Sequence, residues 1–243
     1  MPSRSVVLFG ASIAFLTGVL LRLDPQNAPH LLIEFSGIAL STFVGAYAAF
    51  RLQTKREELE IRSKRAASLR TAQFALVAQA NSLQSLLTEH LDPLRTDPDR
   101  DVKLKAIANF LETPAIDLAS LGFLLESTDP DLLNVLLDCQ NKWNTVNGLT
   151  TQQFSERRRF LEKLVEVRGS KAVGQQVTRD ELRADVGPEI SGALLSVTDS
   201  LYSTVDHAVA ANEESFKRLA EQIAKQFPGE RALTKTVVAN TGR

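Results

Sequence analysis

The chain has 243 residues, with 28 Lys and Arg against 29 Asp and Glu and a formal net charge of −1. There is thus no overall basic excess to hold a polyanion, and no specific nucleic-acid binding is predicted. A single cysteine, Cys139, excludes an intramolecular disulfide and suits a reducing compartment, where it reads as a small buried apolar side chain.

Hydrophobicity is concentrated at one end. Residues 5–21, SVVLFGASIAFLTGVLL, and 35–50, FSGIALSTFVGAYAAF, carry no charge. At ~1.5 Å per residue, helices over residues 5–22 and 31–50 reach roughly 25–30 Å, close to the hydrocarbon thickness of a bilayer. The connection RLDPQNAPH holds two prolines and reads as a tight turn. The expectation for residues 1–50 is therefore a two-helix transmembrane hairpin, with the lipid bilayer as partner; a secretory leader or a buried soluble hairpin are the alternatives. Arg51, Lys55, Arg56, Arg62, Lys64, Arg65 and Arg70 follow the second span, whereas the connection holds only Arg22. The basic excess places both termini in the cytoplasm.

Both spans carry small residues at every fourth position: Gly10, Ala14 and Gly18 in the first, Gly37, Ser41, Gly45 and Ala49 in the second. Such stripes let helix backbones approach closely in lipid, within one chain or between copies, and a homo-oligomer is expected. Glu34 stands one turn after His30. The pair is a candidate polar membrane site that could line a pore or sense pH; the plainer account is an interfacial pair reaching the headgroups.

Residues 51–228 read as a cytoplasmic helical bundle. No proline interrupts 51–91, and Leu69, Ala72, Leu76, Ala80, Leu83 and Leu87 form an apolar stripe flanked by Gln73, Gln79 and Gln84, with Thr71, Ser82, Ser85 and Glu89 opposite. The break DPLRTDPDRD at 92–101 places Asp97, Asp99 and Asp101 at alternate positions. A calcium loop would need glycine and glutamate where Val102 and Ala108 stand, so an ordinary acidic turn is expected and no metal site is assigned. Short helices are predicted over 102–127, separated near Pro114. Asp129 followed by Pro130 predicts a capped start to a long helix ending before Gly169, with Gly148 a bend point and Leu132, Val135, Leu136, Cys139, Trp143, Val146, Phe154, Leu161 and Leu164 as its apolar set. Thr178 and Glu181 match a capping box, and Gly187-Pro188 interrupts the helix that follows. A third long helix carries Leu194, Leu201, Val205, Val209, Phe216, Leu219, Ile223 and Phe227, and Pro228-Gly229 closes it. Residues 229–243 read as a flexible tail. The fold class is all-α.

Chemistry is sparse. His30, His90 and His207 lack ligand spacing, and there is no phosphate loop, zinc-protease motif or cysteine pair. No catalytic residue, cofactor or enzymatic activity is predicted. The arginines of ERRRF at 156–160 spread around a helix, which predicts a solvated or ion-paired face.

The stretches FRLQTKREELEIRSKRAASLRTAQFALVAQANSLQSLL and TPAIDLASLGFLLESTDPDLLNVLLDCQNKW give the chain its resemblance to small bacterial two-span membrane proteins of uncharacterised function, in which an anchor precedes a helical bundle. In outline the chain is also similar to two-span effectors of bacterial anti-phage systems, including those accompanying retrons. These resemblances imply an inner-membrane location and a membrane-perturbing effector, the alternative being a scaffold that recruits a cytoplasmic protein partner. They transfer no site residue.

Overall fold

The computed structural model describes residues 28–107, 113–169 and 178–228. The first predicted span, with Gly10, Ala14 and Gly18, and the tail at 229–243 lie outside the described residues, as do the side chains at 28, 29, 31, 32 and 35. All regular structure among the described residues is helical: α1 (Ala28–Leu86), a π-helical turn (Leu87–Leu91), a 3-10 turn (Asp92–Leu94), α2 (Arg100–Lys103), a 3-10 segment (Ala119–Glu126), α3 (Leu132–Arg168), α4 (Arg179–Val186) and α5 (Pro188–Gln226). Two units, Met1–Arg62 and Ser63–Arg243, divide the chain.

In the first unit α1 starts at Ala28, inside the predicted connection, with Pro29 in its first turn, where a missing N–H costs no intrahelical bond. Hydroxyls along it turn back onto their own helix: Ser41 Oγ and Thr42 Oγ1 each donate to the Ile38 carbonyl at 2.8 Å, and Thr54 Oγ1 to that of Phe50 at 3.0 Å. No helix among the described residues is long and apolar enough to cross a membrane, and the transmembrane hairpin is to that extent without structural support.

The second unit is a bundle of three long helical stretches, namely α1 from Ser63 onward, α3 and α5. Buried positions on α3 fall at Leu132, Leu136, Cys139, Trp143, Val146, Thr150, Gln153, Phe160 and Leu164. Those on α5 include Ser191, Leu194, Thr198, Leu201, Val205, Ala208, Asn212, Ser215, Leu219 and Gln222. Both series advance by alternating threes and fours, with one step of seven on α3 between Gln153 and Phe160, the spacing of a seam that stays turned toward a neighbouring helix. α3 and α5 run antiparallel. Ser215 Oγ donates to the Val135 carbonyl at 3.3 Å near one end, and Phe160 and Leu164 pack with Leu194 and Val197 near the other.

Three apolar clusters follow one another along the bundle. Leu69, Ala72 and Leu76 meet Leu121, Leu132, Leu136, Cys139, Leu219 and Ile223; Leu83, Leu86 and Leu91 meet Leu104, Trp143, Val146, Leu201 and Val205; and Phe160 and Leu164 meet Val186, Leu194 and Val197. Leu83, Leu86 and their neighbours on α1 each contribute ~2 kcal/mol on burial.

Several predicted details are displaced. Phe154 and Leu161, assigned to the apolar face of α3, are exposed, and Gln153 and Phe160 hold the seam instead. Ser82, assigned to the outer face of α1, is buried, because α1 packs through a face wide enough to take Ala75, Gln79, Ser82 and Leu86 as well as the predicted stripe. α3 begins at Leu132 with Asp131 at its N-cap and no capping side chain; Asp129 instead pairs with Arg218 of α5 through both carboxylate oxygens. Residues 104–107 are not helical, since Leu104 takes an extended backbone after α2 and carries the chain across the bundle. Gly148 does not interrupt α3. The capping box forms as predicted, with Glu181 N donating to Thr178 Oγ1 at 3.4 Å and Thr178 N to Glu181 Oε2 at 3.0 Å.

Candidate functional site

The most distinctive surface is the first unit's helix. Ile33, Ile38, Leu40, Phe43, Val44, Tyr47, Phe50 and Leu52 are all exposed, Ile33 to 74% and Phe50 to 67%. At ~100° per residue these positions spread around about two-thirds of the circumference, and Ala39, Ala46 and Ala49 stand in the remaining arc. A helix that is apolar on every side is stable only when wrapped by lipid or by other apolar surface. Gly37, Ser41, Gly45 and Ala49 lie on this helix and are exposed. Among the described residues, a Cβ added at Gly37 or Gly45 meets nothing within 4 Å. His30 and Glu34 are exposed one turn apart. The apolar stretch ends at Arg51, whose Nε donates to the Tyr47 hydroxyl at 2.9 Å while its guanidinium sits 5.5 Å from that ring.

Within the bundle, polar side chains interrupt the apolar seams. Gln140 Oε1 accepts from Gln79 Nε2 at 3.0 Å and from the Ile116 amide at 2.8 Å, and its Nε2 donates to Asn144 at 3.0 Å, tying α1, the segment before the 3-10 helix and α3 together. Asn212 Nδ2 donates to the Leu76 carbonyl at 3.0 Å, reaching a carbonyl inside α1. Gln153 is fully buried, and neither end of its amide has a partner.

The acidic turn is spent on the chain's own cations. Lys103 Nζ lies 2.7 Å from Asp97, which is held below the usual carboxylate range by that ammonium and by the Asp99 amide. Arg95 engages Asp206 at 2.9 and 3.0 Å, and Arg100 holds Asp199 at 2.9 Å. Asp101 is buried, with Arg179 Nη2 2.9 Å from Oδ1 and Arg183 Nη2 3.3 Å from Oδ2. The three arginines of ERRRF go three ways: Arg157 turns inward to donate to the Val102 carbonyl, Arg158 pairs with Glu162 at 2.7 Å, and Arg159 with Glu189 at 3.3 Å. Burial lowers the basicity of the Arg157 guanidinium, and the Asp101 charge opposes that shift.

No group of three or more potential metal ligands occurs among the described residues. Cys139 is buried, and desolvation pushes its thiol up, away from the thiolate that nucleophilic or redox chemistry requires. Comparison with protein-family models, with curated proteins and with solved structures gives no match for this chain.

Proposed function

We propose that this is a non-enzymatic, membrane-anchored helical protein that works as an oligomer. The observation that carries the reading is the helix exposed as apolar surface on all sides from Ile33 to Phe50. In sequence that surface is extended by LLIEF at 31–35 and followed by Arg51, Lys55 and Arg56. Taken with the charge-free run at 5–21, it reads as the second arm of an anchor whose basic edge lies in the cytoplasm, in a bacterial inner membrane. Copies associate through Gly37, Ser41, Gly45 and Ala49. The action proposed for the assembly is perturbation of the membrane, as in an anti-phage effector, with Glu34, Ser41 and Thr42 available to a shared polar interior.

A scaffold that only anchors the bundle for a cytoplasmic protein partner is favoured by a different observation, the stiff coiled-coil-like seam of α3 and α5. Fractionation and a voltage-sensitive dye separate the two. The full chain should stay with the membrane after alkaline carbonate and lower the dye-reported potential. Gly45→Leu should reduce the oligomer mass in mild detergent, since a bulky side chain would stand on the small-residue stripe, where an added Cβ meets nothing within 4 Å among the described residues. A normal potential with the chain retained in the membrane leaves the scaffold; recovery of the chain in the soluble fraction overturns both.

A further inference from the structure

The short helix α4 is held in a way unlike the rest of the bundle. Of its eight residues, Arg179–Val186, only Val186 is buried and Leu182 packs partly against the cluster of Phe160 and Leu194. Its main attachments are ionic. Arg179 and Arg183 grip Asp101, and Asp185 pairs with Arg168 at the end of α3. The Asp101 carboxylate is almost fully enclosed, so this grip works in a medium that screens charge poorly. Arg157 lies on the same buried carboxylate's side of α3, one turn from Gln153.

The two ends of this part of the chain are also set apart. Gly169, which ends α3, has φ 75° and ψ 171°, and Gly187, which joins α4 to α5, has φ 93° and ψ 155°. These are the positive-φ glycines among the described residues, and both occupy a backbone region essentially closed to other residues. Among the described residues no side chain crowds either position: an added Cβ would meet nothing within 4 Å. Glycine is therefore required there by backbone conformation alone, as at a hinge that absorbs a large change in φ and ψ. Between them, α4 carries its own reciprocal capping box, so its first turn is satisfied without help from the bundle.

We propose that α4 is an ionic lid that swings on Gly187 and opens as a unit while the three-helix seam stays closed, bringing Asp101 and the Arg157 guanidinium into contact with solvent. Little apolar area holds the lid shut, so its opening free energy lies well below that of the whole bundle. Because the hold is ionic, opening responds to removal of one charge far more than to loss of a methylene.

Hydrogen exchange on the full chain in mild detergent tests the lid. Asp101→Asn should speed exchange of the amides of 182–187 by at least about tenfold, since the partly buried Arg179 and Arg183 are left without the carboxylate that holds them. The amides of 201–219 on α5 should be unchanged, and Asp101→Glu should recover much of the protection. If Asp101→Asn fails to fold, Arg183→Gln, which leaves Asp101 its Arg179 partner, gives the same comparison. Equal acceleration on α4 and α5 would show one cooperative unit and overturn the lid, as would α4 amides that do not respond to either substitution.

Discussion

Gln153 and Gln140 are chemically identical side chains on the buried face of one helix, and the structure assigns opposite signs to their replacement. Gln153 is fully buried with both amide ends unpartnered, whereas Gln140 accepts two hydrogen bonds and donates one. A buried polar group left unsatisfied costs about 1–3 kcal/mol. Taking the low end for each of the two amide ends, Gln153→Met, which keeps length and removes both groups, should stabilise the bundle by about 2 kcal/mol. That is roughly 4–8 °C in melting temperature for a unit of this size. Gln140→Met removes the acceptor of Gln79 Nε2 and of the Ile116 amide, both in buried positions, and by the same count should destabilise by about 2 kcal/mol. Trp143, the single tryptophan, lies in the central cluster, so its fluorescence during urea unfolding of the full chain in detergent follows the bundle alone. Destabilisation by Gln153→Met of 1 kcal/mol or more would refute the assignment, because it would mean that the amide is bonded in the folded protein.

Phe160→Ala should cost about 3–5 kcal/mol, and Phe154→Ala less than about 1 kcal/mol, since the first ring is 1% exposed and the second 41%; equal costs in the same urea assay would mean that the register of α3 is wrong. Acid should weaken the bundle through Asp97 and Asp206. Both are held below the ordinary carboxylate range, Asp97 first by Lys103 and Asp206 first by Arg95. Their contribution is present above the unfolded carboxylate value near ~4 and is lost as pH falls through the lower folded values. Asp206→Asn should accordingly flatten the fall in stability below about pH 4, and an acid limb identical to wild type in a pH series of urea midpoints would contradict this.

That residues 36–50 form an apolar helical stretch was readable from the sequence through composition alone, and Gly37, Ser41, Gly45 and Ala49 lie exposed on α1. The Asp101 cluster was not. As a sequence, 97–101 is an acidic turn, and nothing local marks its last aspartate as the buried one. Arg179 and Arg183, spaced to share one helix face, were the available signal, but a matching pair of cations does not name its anion among the chain's 29 acidic residues.

The sequence by itself determined that the described chain is helical, that no break interrupts the helix through residues 51–86, that Thr178 and Glu181 cap α4, and that Gly187-Pro188 separates α4 from α5. Each of these depends on residues within a few positions of one another, through propensity, capping and the missing N–H of proline. The inward face of α3 was legible as far as Val146 and again at Leu164, and its course between them was decided only by tertiary structure. The heptad that fits α5 runs through Thr150, Gln153 and Phe160, and a helix is rigid over those turns, so Phe154 and Leu161 are carried to the surface with it. A continuous seam against a long antiparallel partner outweighs the burial of two apolar side chains at ~2 kcal/mol each, because rotating α3 to bury them would withdraw Leu132, Leu136, Trp143, Val146 and Leu164 together.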